Sequence, residues 1–167
     1  MPETLAGPAL KTLRYLMQFT AVTDKETPQL WALYLEADPE AAVVRRYLPE
    51  CRVYAAVRDG RVCAQACILP LSKDTCELKN LAVSAEERGR GLGMRLCEFV
   101  FHACRENGFK KMVAGTADIY RSPVPFYERL GFKRTGVIKD FFIKNYSAPI
   151  YDGGEQCRDM VLLEKEL

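Results

Sequence analysis

Asn80-Leu81-Ala82-Val83-Ser84-Ala85-Glu86-Glu87-Arg88-Gly89-Arg90-Gly91-Leu92-Gly93-Met94 decides the reading of this chain, because it runs from an apolar segment through a glycine-rich turn into a helix start. Upstream, Glu77, Lys79 and Leu81 alternate with Leu78, Asn80 and Ala82, and the turn-like pair Lys73-Asp74 precedes them, which predicts a strand over Cys76 to Val83. A period of two puts Glu77 and Leu81 on one face of that strand. Downstream, Leu92, Leu96, Phe99, Val100 and Ala103 form an amphipathic helical stripe that ends at Asn107-Gly108. At such a strand-to-helix turn, unpaired N–H groups and the helix dipole favour a phosphate, and glycines let the backbone come close to it. A dinucleotide fingerprint needs GxGxxG, whereas the spacing here is GxGxG. A P-loop needs Gly-Lys-Ser/Thr, whereas Gly93 is followed by Met94 and Arg95.

Working outward, Leu13 to Phe19 is apolar and predicts a strand, and the polar cluster Thr23 to Thr27 with Pro28 marks a helix start. Trp31 and Leu35, then Val43, Val44 and Tyr47, recur at helical spacing on either side of Asp38-Pro39, predicting two short helices broken there. Val53 to Val57 and Val62 to Leu69 predict two antiparallel strands joined by Asp59-Gly60. Beyond the central helix, Lys111 to Ala114 reads as a strand and Pro125 to Leu130 as a helix stopped by Gly131. Phe132 to Ile143 reads as one long strand, and Val161 to Leu163 closes the sheet. The fold class is therefore α/β, a mixed sheet with flanking helices. A short extension at residues 1–10 and one domain at 11–167 are expected, since 167 residues make one ordinary core.

The charge balance, 24 Lys and Arg against 22 Asp and Glu, has no dense basic run, so nucleic acid is not an expected partner. No run of about 18 apolar residues is present and the first ten residues lack an apolar core, so neither a membrane span nor a secretory signal is expected. The seven cysteines, at 51, 63, 67, 76, 97, 104 and 157, contain no CxxC pair and there is a single histidine, His102. That pattern predicts free buried thiols in a reducing cytoplasm and no metal site.

Two spaced motifs carry a family resemblance. Asn80-Leu81-Ala82-Val83 followed by R-G-R-G-L-G, and then Phe126-Tyr127-Glu128-Arg129-Leu130-Gly131-Phe132, resemble the GNAT acyl-CoA N-acyltransferases in the order that family has them. Arg88, Gly91 and Gly93 match its Q/R-x-x-G-x-G/A pattern. The resemblance implies a mostly antiparallel central sheet flanked by helices, acetyl-CoA as cosubstrate, and no metal. It implies that Leu81, Ala82 and Val83 meet the pantetheine arm and that Arg88, Gly89, Arg90, Gly91, Leu92, Gly93 and Met94 hold the pyrophosphate. Asp140-Phe141-Phe142, Tyr146, Pro149-Ile150 and Cys157-Arg158-Asp159-Met160 resemble the C-terminal segment of bacterial members whose substrates are unassigned. One departure stands out: where many members carry an asparagine after the fifth strand, this chain reads Gly115-Thr116-Ala117-Asp118, leaving Thr116 and Asp118 as alternatives for that contact.

Acetyl transfer to an amine needs a neutral nucleophile, although an alkylamine with a pKa of about 10.4 is protonated at neutral pH. It also needs N–H donors for the tetrahedral oxyanion and a proton for the departing thiolate. Glu77 matches the catalytic glutamate of some members and is the candidate base, through water. The alternative is a strand carboxylate paired with Lys79. Tyr127 stands at the family's proton-donor position, with core packing beside Phe126 the alternative. His102 reads as solvated or packed, and the cysteines as core filler. Trp31, Tyr34 and Tyr47 read as core or as an acceptor wall, and Asp140, Asp152 and Glu155 as loop charges or as attractors of a cationic amine. The expected activity is acetyl transfer from acetyl-CoA to a primary amine, on a small molecule or a protein, by direct attack. A CoA-binding regulatory module without turnover is the rival, and homodimerisation is left open.

Overall fold

The computed structural model describes residues 16–167. The expected extension at 1–10 and the first residues of the strand expected from Leu13 lie outside the described residues. That strand is observed as β1, Gln18–Ala21. It leads to α1, Pro28–Ala37, started by Thr27, whose hydroxyl accepts from the Leu30 N–H at 3.4 Å, with Pro28 in the first turn. α2, Ala41–Tyr47, comes after Asp38-Pro39. The proline holds Asp38 in an extended conformation, φ −138°, ψ 100°, and so separates the two helices as its sequence requires.

β2 (Arg52–Arg58), β3 (Arg61–Pro70) and β4 (Thr75–Val83) form the antiparallel meander. α3 (Leu92–Glu106) crosses over to β5 (Lys111–Ala117), which pairs parallel to β4. After α4 (Val124–Arg129) come β6 (Lys133–Ile138), α5 (Phe141–Asn145), the two-residue strands β7 (Tyr151–Asp152) and β8 (Glu155–Gln156), and β9 (Met160–Glu166). The seven-stranded sheet has the order β1-β2-β3-β4-β5-β9-β6, antiparallel except at β4–β5. The mixed, mostly antiparallel α/β class expected from the sequence is the one observed.

Two cores lie on opposite faces of this sheet. α3 and α4 cover one with Leu96, Val100, Phe101, Tyr127 and Phe132 over Ala66, Ile68, Leu78 and Met112. α1 and α2 cover the other with Leu30, Tyr34, Val44 and Tyr47 over Val53 and Cys67. Burying side chains of this size, at about 1.5–3 kcal/mol each, fixes which face each strand residue takes.

Two expectations are corrected here. The long strand from Phe132 to Ile143 ends at Ile138, because Asp140 turns into the left-handed region at φ 54°. Its N–H donates to Asp159 Oδ1 at 2.8 Å and its carboxylate meets Arg158 at 3.0 Å. Aspartate tolerates that conformation, and Phe141–Asn145 then coils into α5. The buried stripe of α3 is Leu92, Leu96, Cys97, Val100, Phe101 and Cys104 rather than one running through Phe99 and Ala103. Its cysteines act as small apolar residues, and Phe99 covers the rim instead, its ring 5.8 Å from that of Phe19 and 6.1 Å from that of Tyr54.

Candidate active site

β4 and β5 pair only from Thr75 to Leu78 with Lys111 to Ala114. Beyond that point β4 stays with β3 while Gly115 to Ala117 continue on β9, so the sheet splits between Lys79–Val83 and Gly115–Ala117. A cleft of about 920 Å³ occupies the split and is lined by both strand ends. The Ser84 N–H donates to the Cys63 carbonyl on β3 at 2.8 Å. Strand alternation then turns the main chains of Val83 and Leu81 away from β3 and into the gap. Their amides form the open edge to which an extended ligand can add as a strand does.

At one end of the cleft, Gly91 takes the position before α3 with φ 76° and ψ 7°, and no side chain caps the helix. Four N–H groups of the first turn therefore point outward at the positive end of a 15-residue helix. Gly93 lies against the cleft wall: a Cβ there would sit 3.4 Å from Val83 Cγ2 and 3.5 Å from Phe126 Cε2. A backbone with bare amides and no side-chain bulk is the cradle a pyrophosphate requires. Gly89 and Met94 belong to the same turn, whereas the Leu92 side chain is buried in the core. Arg88 lines the cleft with its guanidinium bound on two sides, Nε to the Val83 carbonyl at 3.0 Å and Nη2 to Glu36 at 2.5 Å. Arg90 turns to a separate depression with Arg58, Glu87 and Arg95.

In the middle of the cleft the register shifts. Cys67 opposes Asn80 while Ile68 opposes Leu78, leaving Lys79 as an extra residue on β4. This β-bulge reverses the facing of the residues beyond it. Glu77, opposite Leu69, looks toward α2, and Lys79 Nζ stands 5.5 Å from the Tyr47 ring. Leu81, opposite Ala66, packs against the α3 face. The expectation that Glu77 and Leu81 share a face is therefore corrected, since unbroken alternation cannot anticipate an inserted residue. Glu77 lines the cleft and is ion-paired with Lys79 at 3.3 Å.

Tyr127 reaches the cleft from the opposite face. α4 presents it between Phe126 and Phe132, both edge-on, at 5.4 and 5.5 Å between centroids. The residue is 9% exposed and lines the cleft. Burial, reinforced by the Cys97 thiol nearby, raises its phenol well above the usual tyrosine range, so the hydroxyl keeps its proton. Of the two alternatives after the fifth strand, Thr116 is buried and lines the cleft, whereas Asp118 is exposed and outside it.

The far end joins Tyr47, one of the aromatics that could wall an acceptor pocket, to Asp38, Phe141, Phe142 and Tyr146, to which the sequence reading gave no such role; Asp152 stands at the rim. A hydrogen-bond chain ties this end to β4: Gln65 Nε2 donates to Asn80 Oδ1 at 2.5 Å, Asn80 Nδ2 donates to the Tyr47 hydroxyl at 2.9 Å, and that hydroxyl donates to Asp38 Oδ2 at 3.4 Å. Asn80 Nδ2 also reaches the Tyr34 carbonyl at 3.0 Å. Glu40 clasps the segment after α5, accepting from both the N–H and the hydroxyl of Ser147 at 3.0 Å. A buried asparagine in mid-strand was the available signal for this network. Phe141 and Phe142 were hidden by their assignment to a strand.

The remaining candidates fall away from the cleft. His102 is exposed and faces Glu106 at 3.4 Å. All seven cysteines are free and buried. Tyr34 is core, and the Trp31 indole N–H donates to Glu26 at 2.7 Å outside the cleft. Asp140 pairs with Arg158, and Glu155 accepts from the Tyr120 N–H at 2.8 Å. Among the described residues no group of carboxylates, cysteines and histidine is placed to hold a metal, and no helix is long and apolar enough to cross a membrane.

The sequence profile of the Acetyltransferase (GNAT) family matches residues 16–132. An uncharacterized N-acetyltransferase of Bacillus subtilis (strain 168), YvbK, is 28% identical over 144 residues, 86% of this chain and 93% of the relative. A GNAT family acetyltransferase from Elizabethkingia anophelis, solved with acetyl-CoA bound, superposes with a TM-score of 0.84 at 31% identity over 90% of this chain and 98% of its own. A Bacillus subtilis acetyltransferase solved in complex with CoA superposes at 0.83, with 26% identity over 91% of this chain and 99% of its own.

Proposed function

The chain belongs to the GNAT acetyltransferase family and is an acyltransferase, and on that premise we propose that it moves the acetyl group of acetyl-CoA onto a primary amine by direct attack. The observation that carries this reading is the split sheet. An uncapped glycine turn stands at one end, and Glu77 and Tyr127 enter the same cleft from opposite faces. Acetyl-CoA supplies an acyl carbon already activated by a thiolate leaving group. The bare amides of residues 91–94 bind its pyrophosphate, and the main-chain N–H groups of Leu81 and Val83 on the open strand edge align the pantetheine arm. The acetyl-CoA-bound and CoA-bound relatives support that assignment.

Opposite faces suit a displacement. The amine approaches from the α2 side, its nitrogen forms the new N–C bond, and its proton passes through water to the Glu77 carboxylate. The C–S bond breaks toward the α4 side, where the Tyr127 hydroxyl donates to the departing sulfur. A phenol held protonated by burial is a weaker acid than a thiol of pKa about 8.5, so it acts as the hydrogen-bond donor that stabilises the thiolate as it forms. No covalent enzyme intermediate is required.

Calorimetric titration with CoA and with ADP, joined to thiol release across a panel of amines, tests the proposal. CoA should bind tightly and thiol should appear with some amines. Equal affinity for CoA and ADP would remove the donor site, and tight CoA binding with no thiol release from any amine would leave a CoA-binding regulatory module.

A further inference from the structure

Asp38 occupies an electrostatically poor position for a carboxylate. It is 8% exposed and sits at the C-terminal cap of the ten-residue helix α1, where the helix dipole is negative. Two of its hydrogen bonds are at the long limit, 3.5 Å from the Glu40 N–H to Oδ1 and 3.4 Å from the Tyr47 hydroxyl to Oδ2, and the Tyr146 phenol is a third donor to it. No cation pairs with it among the described residues, although three acids nearby are engaged, Glu77 with Lys79, Glu36 with Arg88, and Glu40 with Ser147; Arg46, Glu50 and Asp152 line the same cleft. Lys79, whose charge reaches Asp38, is thus committed to Glu77. A buried carboxylate in this setting is costly unless a positive charge meets it. Burial does raise its carboxyl above the ordinary aspartate range.

The surroundings suit a cation. Asp38 lines the cleft beside Tyr47 and Tyr146, whose phenol lies near the same carboxylate, and the Tyr146 ring stacks on Phe142 at 5.7 Å. Aromatic rings around a carboxylate hold an ammonium through charge pairing and cation–π attraction together. The nitrogen that attacks the thioester must give up its charge to react, so a charge that stays at Asp38 throughout belongs to another atom of the acceptor.

We propose that the acceptor carries a second cationic centre besides the nitrogen that is acetylated, and that Asp38 seats it beside Tyr146 and Phe142. The inference rests on the acetyl-transfer reading for the role of the cleft, and names the acceptor class as aliphatic diamines or longer amines with two positive centres.

Calorimetric titration of the CoA-saturated protein with diaminobutane and with aminobutane tests the seat without turnover. The diamine should bind about 10- to 100-fold more tightly, the range of one charge-assisted buried contact. Asp38→Asn should bring the ratio of the two affinities close to one, with a melting curve to show that the variant is folded. Equal affinity of the two amines for the unaltered protein overturns the seat by itself, whether or not the variant folds. So does a preference that survives in Asp38→Asn. Thiol release measured in parallel separates the two readings: turnover with no diamine preference defeats the seat alone, and diamine binding with no turnover defeats acetyl transfer alone.

Discussion

Glu77 and Leu81, four residues apart on β4, face opposite sides of the sheet because Lys79 is inserted between the pairs Leu78–Ile68 and Asn80–Cys67. The bulge lets one strand offer a carboxylate to the α2 side while the Leu81 side chain serves the α3 side. Glu77→Gln should therefore lower kcat most at low pH, where the acceptor is most protonated and a proton acceptor matters most. Raising the pH should restore part of the loss. A pH–rate profile parallel to that of the unaltered protein would remove Glu77 from proton transfer.

Tyr127→Phe keeps the ring that packs on Phe126 and Phe132, so the fold should survive. If the hydroxyl donates to the leaving sulfur, kcat should fall roughly 10²–10³-fold with little change in acetyl-CoA affinity. Full kcat at saturating acetyl-CoA would assign stabilisation of the departing thiolate to solvent or to another group.

Gly91→Val forces a β-branched residue to φ 76°, at a cost of at least about 1–2 kcal/mol, and covers amides of the α3 N-terminus. Gly93→Val pushes against Val83 and Phe126 from a Cβ already 3.4 Å away. Both should weaken acetyl-CoA binding strongly in calorimetry while the melting transition persists. Unchanged affinity in folded variants would move the pyrophosphate elsewhere.

Asp38→Asn should stabilise the protein at pH 7. The folded-state pKa of Asp38 is raised by burial, so its contribution to stability is present below the unfolded value of about 3.9 and is lost as pH rises through the folded value. The substitution removes that loss. Urea midpoints of the two proteins should differ at neutral pH and draw together below about pH 4. A midpoint lowered at pH 7 would mean that its contacts with Tyr47 and Glu40 outweigh desolvation.

Dithiothreitol should leave the melting temperature and turnover unchanged, since all seven cysteines are buried free thiols. A fall in melting temperature on reduction would reveal a disulfide.

Periodicity and turn residues were enough to read much of the architecture: the β2–β3 hairpin at Asp59-Gly60, the helix break at Asp38-Pro39, the crossover helix after the glycine turn, and the helix that carries Tyr127. These are local signals, set by backbone conformations that glycine and proline permit or forbid and by the spacing of apolar side chains. The glycine turn proposed to hold the pyrophosphate was legible for the same reason, because Gly91 shapes it through its own backbone. Pairing between distant segments set the rest. The bulge at Lys79 exists only in register with β3, and no feature of β4 alone turns Glu77 away from Leu81. The left-handed turn at Asp140 is held by Arg158 and Asp159, 18 and 19 positions away, and it converts the end of an expected strand into the aromatic wall of the cleft. Asp38 looked like a turn residue before a proline. It becomes a buried carboxylate with no ion pair among the described residues only when Tyr47, Asn80 and Tyr146 are brought around it from three separate segments.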